Sequence, residues 1–582
     1  MTLEDNAELR ENIRKIAMLN AVRHDGKAQA GPVIGKILGE KPEFRTKSKE
    51  LSALVNNIVK EVNSLTFEEQ QRFVKEKWPE ALVKEKVEEE KRLPSLPNTD
   101  KYALVVTRYA PNPDCVLHLG SARAIVLCYE YAKMYKGKFI LRFEDTDPKQ
   151  KRPVLEFYDR IREDLTWLGC KPDEEYIQSD RIKLYYEYGE KLLKDGNAYI
   201  CMCNPELFRK KILANKPCKC RNQPPEEHLE RWHRMLEGDY KEGEVVYRVK
   251  TDLNHPNPAV RDWPAFRVIE AAKFPHPRVG SKYHVWPLYN LACGVDDHFM
   301  SITHIIRGKE HLTNQVRQEY MYKYLGWKYP ETIHYGRLKI TGASLSKSKI
   351  VQGMREGLYK DWDDPRLATF AALRKRGITP EAIKKMIIDV GPKTSDVILS
   401  WENLYAYNRK ILDPTANRYF FVQNPIELTV KHVPKTFTAK LHLHPEKPEI
   451  GAREYVIKPE GDAVALWVSK KDVDASKIGS IIRLMELFNI KIENANVYSA
   501  EASFVSEYYE DARKAKARLI HWILIGEDMP CEVVMPDATV AEGVAESACK
   551  TLKPNSITQF ERFGFARIDK NNTKLIAYYA HK

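Results

Sequence analysis

The run from residue 102 to residue 148 constrains the fold of this chain more than any other stretch. YALVVTRYA (102–110) is an apolar run ending in Thr107, Arg108 and two further residues, and it reads as a buried strand. The loop APNPDCVLHLGSARA (110–124) follows. ARAIVLCYEYAKMY then carries apolar residues at helical spacing, and KFILRFEDTDP (138–148) reads as a second buried strand. Strand, loop, helix and strand in that order make one unit of an open parallel sheet. Ligands of such sheets sit beyond the carboxyl ends of the strands, where Arg108 and the carboxylates of Glu144, Asp145 and Asp147 fall.

The loop itself has the character of a nucleotide site. His118 and Gly120 stand at the turn into the helix, where backbone N–H groups and the helix dipole face a phosphate. More than 200 residues later, SLSKS (344–348) brings a lysine-bearing loop that closes over the same phosphates from the other side. Two such halves of one site point to adenylate chemistry. Taken singly, His118 is as readily a satisfied turn histidine and SLSKS a solvated loop; their order and their flanks favour the paired reading.

At 582 residues the chain is too long for one core, which predicts roughly three to five domains. Its formal charge of +13 favours a polyanionic partner, nucleic acid first. The segment MTLEDNAELRENIRK is acidic and helical, and no apolar run approaches membrane-spanning length, so a soluble, cytoplasmic protein is expected. Ten cysteines scattered through such a chain argue for metal binding or burial rather than disulfides. Four of them cluster. Cys201 and Cys203 are separated by fourteen residues from Cys218 and Cys220, and thiolates at that density fit tetrahedral zinc. His228 and His233, in the charged stretch PPEEHLERWHRMLEG, read as surface residues outside that set.

Residues 1 to about 97 carry helical periodicity and many charges, consistent with solvated helices, and end in VKEKVEEEKRLPSLPNTDK, whose Pro94 and Pro97 mark a linker. Strand-like apolar runs return at EVVYRVKTDL, KYHVWPLYNLA and DHFMSITHIIRG as a second half of the sheet. HLTNQVRQEYMYKYLGW is helical, HYGRLKITGASLSKS is a strand leading into the lysine loop, and 356–412 is helical, with RKRG before a helix starting near Thr379 and Pro380. From about residue 415 short alternating strands take over, among them RYFFVQ, IELTVKHV, AVALWV, CEVVMP and LIAYYAHK, which predicts barrels or a sandwich. Arg562, Phe563, Phe565 and Arg567 interleave basic and aromatic residues there. Such a group either clamps unpaired bases or completes a barrel core and its rim.

Residues 102–582 resemble the class I aminoacyl-tRNA synthetases specific for glutamate and glutamine, most closely the archaeal-type glutamyl-tRNA synthetases. HLGS at 118–121 is similar to that class's HIGH signature, and SLSKS to its KMSKS signature. TRYAPNP before the first and RFEDTDP after it make the match specific. Two residues depart from the pattern: Ser344 stands where the lysine loop usually begins with lysine, and Ser121 where the first signature carries its second histidine. Lys347 must then carry most of the loop's charge.

The resemblance implies a multidomain α/β plus β protein: a class I Rossmann-like catalytic domain with an inserted acceptor-binding domain, a helical stem-contact domain and C-terminal anticodon-binding β-barrels. In this chain the catalytic halves fall at 98–200 and 281–352, the insert with the cysteines at 201–280, the stem-contact helices at 353–414 and the barrels at 415–582, after a helical appendage at 1–97. The implied reaction joins glutamate to ATP as glutamyl-adenylate with release of pyrophosphate. The glutamyl group then passes to the terminal ribose of tRNA(Glu), with tRNA(Gln) as a further acceptor to test. Such chemistry needs positioning and charge stabilisation and no nucleophilic side chain.

By the same resemblance Pro111, His118, Gly120, Ser121, Ser346, Lys347 and Ser348 bind ATP, with His118, Gly120 and Lys347 the catalytic members. Arg108 and Tyr289 grip the substrate's side-chain carboxylate, Glu144 its ammonium group and Arg307 its α-carboxylate, while Ala110 and Asn112 line the pocket. Cys293 stands where related enzymes often carry a polar side chain. ATP brings Mg2+, for which no ligand is readable. Zn2+ on Cys201, Cys203, Cys218 and Cys220 would be structural; residues 1–97 have no counterpart in the resemblance, and docking of a protein partner or tRNA is the expectation for them. The rivals are a glutaminyl-tRNA synthetase, a tRNA-binding scaffold without catalysis and an adenylating ligase for a small molecule. RFEDTDP and APNPDCVLHLG favour the glutamate branch over the first, and the basic, strand-rich C-terminal half counts against the last.

Overall fold

A computed structural model describes residues 6–23, 26–78, 92–342 and 347–582. The chain divides into two compact units, Met1–Lys91 and Arg92–Lys582.

The first unit is helical, as its periodicity predicts, with helices at Ala7–Arg23, Ala30–Glu40, Ser48–Asn63 and Phe67–Lys77. It has a core of its own. The third helix buries Leu51, Leu54, Val55, Ile58, Val59 and Val62, spaced three and four apart, against Leu9, Ile13, Val33 and Val74. The fourth begins at a capping box in which Thr66 and Glu69 satisfy each other's N–H groups. Solvated helices would not bury these side chains, so this segment is a small domain and not a decorated linker.

The second unit opens with the predicted parallel unit. β1 (Val106–Tyr109), β2 (Lys138–Phe143) and β3 (Glu174–Ile177) form a parallel sheet with β2 central, Arg108 opposite Ile140 and Ile140 opposite Glu174. The Leu119–Met134 helix makes the crossover from β1 to β2. Gly137, at the turn into β2, is obligatory: a Cβ there would lie 1.9 Å from the Val105 carbonyl oxygen. Beyond β1 the sheet continues toward the later half. Thr303 donates its N–H to the Val106 carbonyl (3.0 Å) and accepts the Val106 N–H on its hydroxyl (2.8 Å), just ahead of a further parallel pair, His304–Gly308 with Glu331–Tyr335.

Between these halves lies the insert, a four-stranded antiparallel sheet built from Ala198–Cys201, Val246–Val249, Pro264–Val268 and Val285–Pro287, with helices Pro205–Leu213 and Pro225–Glu237. One expectation fails here. KYHVWPLYNLA is strand only as far as Pro287, and Tyr289–Phe299 is a helix that runs into the DHF of DHFMSITHIIRG. Leu291, Ala292 and Val295 are buried at helical spacing, and that period prevails over the apolar run as a whole.

The helices Phe370–Arg376, Pro380–Val390 and Trp401–Leu412 share one hydrophobic core with the sheet, where Phe370, Leu373, Ile383 and Met386 pack with Leu127 and Tyr131. Arg123, buried on the crossover helix, bonds the carbonyls of Gly336 (2.5 Å), Gly391 (2.8 Å) and Lys393 (3.0 Å) and ties these pieces together. The expected helix start is present: Thr379 caps the Pro380–Val390 helix.

Residues 418–581 form two seven-stranded sheets and one separate hairpin, Phe437–His442 with Ala452–Ile457. Strands Arg418–Tyr419 and Phe421–Gln423 join the sheet of the last strands, whereas Pro425–Lys431 joins the other, so the two sheets interleave along the chain. Among the described residues no helix is long and apolar enough to cross a membrane.

Candidate active site

A cavity of about 630 Å3 opens beyond the carboxyl ends of β1 and β2. Arg108, Ala110, Asn112, Glu144, Tyr289 and Arg307 all line it, so the structure brings together every residue singled out for the amino-acid pocket. Asp147 also lines it and is held by Arg267 (2.6 Å). Asp145 turns elsewhere, into a buried set of bonds with the Tyr158 hydroxyl (2.6 Å) and Ser179 (2.7 Å).

Beneath the cavity is an ionic cluster that sequence reasoning missed. Asp297 accepts Arg108 Nε (3.1 Å) and Arg142 Nη1 (2.6 Å), and Arg142 also donates to Glu144 (2.9 Å). The neighbouring Asp296 accepts Gln178 (3.0 Å), Arg181 (2.7 Å) and the Tyr185 hydroxyl (2.7 Å). Buried charges persist only when paired, and here the pairing is nearly complete. Burial favours a neutral Asp297, but the two guanidinium groups outweigh it and hold the carboxyl well below the usual range. Burial raises Glu144, against the pull of Arg142. The Cys293 thiol sits between Arg142 (3.2 Å) and Asp297 (3.5 Å), and burial pushes it up to about 12, so it stays protonated. The signal for these residues was present: Arg142 inside KFILRF and the Asp296–Asp297 pair inside an apolar helix are charges at positions with apolar neighbours.

Arg307 differs from Arg108 and Arg142. It is buried, and among the described residues it meets no carboxylate: Nη1 donates to Gln318 (3.2 Å) and Nη2 to the Tyr329 hydroxyl (2.9 Å). Its Nε has no partner, and neither does Oδ1 of Asn112 or of Asn290, both on the cavity wall. Buried polar atoms left over in one cavity are what a polar ligand would satisfy.

His118 is the N-cap of the Leu119–Met134 helix, and its Nδ1 accepts the Gly120 N–H at 3.0 Å. Nδ1 is therefore unprotonated, and burial lowers the ring's pKa, so the neutral ring carries its proton on Nε2 as a donor. This corrects one expectation. The N–H groups at this turn are not an open phosphate cradle, because Leu119 donates to the Ala368 carbonyl (2.9 Å) and Ser121 to the His118 carbonyl (2.8 Å). The Ser121 hydroxyl bonds Tyr109, and the buried Pro111 accepts the Glu144 N–H (2.9 Å). Ser344 and Ser346 lie outside the described residues. Lys347 and Ser348 begin the helix Lys347–Arg355, and Lys347 Nζ lies 2.7 Å from Asp114, which joins the two signature segments.

In the insert, the sulfur atoms of Cys201, Cys203, Cys218 and Cys220 lie within 4.8 Å of one another. Cys201 and Cys218 are 4.0 Å apart, and Cys203 and Cys220 3.7 Å. Tetrahedral zinc with bonds of about 2.3 Å needs sulfur separations of about 3.8 Å, so the four residues fit that ion. Tyr199, Phe208 and Ile212 enclose them. His228 is not the surface residue its charged helix predicts. It is buried, and its Nδ1 accepts the Ile200 N–H (3.3 Å), while His233 is exposed.

The basic and aromatic group near the C-terminus resolves toward barrel core and rim. Phe565 is buried, Arg562 makes a two-pronged ion pair with Asp472 on the short helix Lys470–Asp474 (2.6 and 2.7 Å), and Arg567 bonds the Lys375 carbonyl, Asn555 and Asp569. Side chains committed in this way do not present a stacking platform.

Comparison with known proteins agrees with this geometry. Residues 104–414 match the catalytic domain of the class I tRNA synthetases (E and Q), and residues 416–506 and 519–569 match two anti-codon binding domains of the same class. The chain belongs to the class I tRNA synthetase family of E and Q. Within it, the relatives include the glutamate–tRNA ligase of Pyrococcus furiosus, 53% identical over 98% of this chain and 99% of that one. The glutamate–tRNA ligase of Thermococcus kodakarensis is 52% identical over 99% and 100%, and that of Methanocaldococcus jannaschii 47% over 99% and 100%.

Proposed function

We propose that this chain is a glutamate–tRNA ligase, which activates glutamate with ATP and transfers it to the 3′ end of tRNA(Glu). The observation that carries this reading is the charge of the pocket. Arg108, Arg142 and Arg181 pair with the carboxylates of Glu144, Asp296 and Asp297, while Arg307 beside them meets only neutral groups among the described residues, so this set keeps one positive charge. Glutamate brings a net charge of minus one and neutralises the set, whereas glutamine, neutral overall, pairs its α-carboxylate with Arg307 and leaves the set one charge positive.

Arg108 with Tyr289 receives the side-chain carboxylate, Arg307 the α-carboxylate and Glu144 the ammonium group, while Ala110 and Asn112 close the wall. ATP lies toward Pro111, His118, Gly120 and Ser121. There the His118 Nε2–H donates to a phosphate oxygen, and Lys347, with Ser346 and Ser348 shaping its loop, stabilises charge on the departing pyrophosphate. Mg2+ accompanies the ATP. Cys201, Cys203, Cys218 and Cys220 hold a structural Zn2+ in the acceptor-binding insert. tRNA(Gln) is a further acceptor to test, residues 1–97 offer a docking unit for a protein partner, and the cytoplasm is the site of action.

ATP–pyrophosphate exchange, measured with tRNA present, tests the reading. Exchange that depends on glutamate and not on glutamine is expected. Exchange driven by glutamine would favour the glutaminyl reading, and none with either would favour a non-catalytic scaffold.

A further inference from the structure

Lys347 opens the helix Lys347–Arg355, in a signature whose other usual lysine position holds Ser344, and it is engaged by a single carboxylate. That carboxylate belongs to Asp114, 233 residues earlier, with Nζ and Oδ2 at 2.7 Å. The two partners differ in how firmly they are held. Asp114 sits on the loop between β1 and His118, which is pinned on one side of it by the Pro111 carbonyl accepting the Glu144 N–H and by the Pro113 carbonyl accepting the Val154 N–H, both at 2.9 Å. Its side chain is 17% exposed, against 43% for Lys347. The carboxylate is the fixed member and the lysine the one free to swing. Being half-exposed, the pair is weak, whereas a triphosphate is a polyanion that binds an ammonium through several oxygens.

From this we infer that Asp114 is a positioning residue that parks Lys347 at the mouth of the nucleotide site and exchanges it for the ATP phosphates. In the resting enzyme the carboxylate occupies the ammonium group that ATP later claims, so ATP binding must first open the pair. Asp114 thereby stands in competition with the nucleotide and screens the loop's charge until the nucleotide arrives. The inference rests on the assignment of Lys347 to the phosphates.

A double-mutant cycle tests it. ATP affinity is measured by equilibrium dialysis on the full-length protein for the wild type, Asp114→Asn, Lys347→Met and the double variant, with Asp114→Glu as the conservative control. Asp114→Asn is expected to bind ATP about two- to five-fold more tightly, the range open to an exposed pair, with the KM for glutamate unchanged. Asp114→Glu should stay near the wild type, and in the Lys347→Met background the gain should vanish. Unchanged or weakened ATP binding in Asp114→Asn, with the melting temperature preserved, would overturn the inference. So would a gain that persists without Lys347. If Lys347→Met alone leaves both ATP affinity and exchange intact, the phosphate assignment itself falls, and this inference with it.

Discussion

Replacing Arg307 with alanine lowers kcat/KM for glutamate in pyrophosphate exchange by about 100- to 1,000-fold and changes the KM for ATP less than about twofold, on a cost of about 3–4 kcal/mol for removing one partner of a buried charge pair. Arg307 is a buried guanidinium whose protein partners, Gln318 and Tyr329, are neutral acceptors, so a substrate carboxylate is the one charge that completes its environment. Burial works against its charge, yet its pKa lies above the ordinary arginine value, so it enters the site as a cation. Arg108 would respond differently, because Asp297 already holds it and its loss would leave that acid unpaired beside Arg142. An Arg307→Lys variant should recover only part of the loss, since an ammonium group keeps the charge and gives up the two-pronged geometry. Equal loss of glutamate and ATP binding in Arg307→Ala would mean collapse of the site and would count against the role.

Replacing Cys218 with serine releases the metal from the insert and uncouples the two half-reactions. The wild type is expected to hold about one zinc per chain by elemental analysis, and the variant about none. The Cys201–Cys218 and Cys203–Cys220 separations fit tetrahedral thiolate ligation, and the small core around them, Phe208 and Ile212, is too thin to hold the segment alone. Loss of a structural zinc site removes a large share of local folding energy, so the first unfolding transition should fall by about 10 °C or more. The activation pocket lies at the ends of β1 and β2, so pyrophosphate exchange should survive while transfer to tRNA falls at least about tenfold. A wild type that contains no metal and does not change on chelation would contradict the assignment.

Much of the site was legible because it is built from signatures and strand ends. Arg108 lies at the end of one buried strand and Glu144 follows another, and a parallel sheet places those ends together; Tyr289 and Arg307 join them in the sequence reading only through the family resemblance. What was not legible depends on long-range pairing. That Arg108 and Arg142 are both held by Asp297 cannot be read from local pattern, since 189 and 155 residues separate the partners. Of the N–H groups near Gly120, only that of Leu119 has a distant partner, Ala368, while His118 takes those of Gly120 and Ser121 locally as the helix cap. Tyr289–Phe299 was misread as strand because a short apolar run does not distinguish a buried strand from a buried helix until its period is checked against packing. The interleaving of the C-terminal strands lies beyond local reading as well, because strand order is a property of the whole sheet.

Aminoacylation by the purified full-length protein, with glutamate or glutamine offered alongside tRNA(Glu) or tRNA(Gln), decides whether glutamate is the group transferred. Glutamate on tRNA(Glu) is the expected product, and glutamate again if tRNA(Gln) is charged at all. Glutamine joined to either tRNA would contradict it, because glutamine brings no side-chain carboxylate to Arg108 and leaves the pocket with a net positive charge.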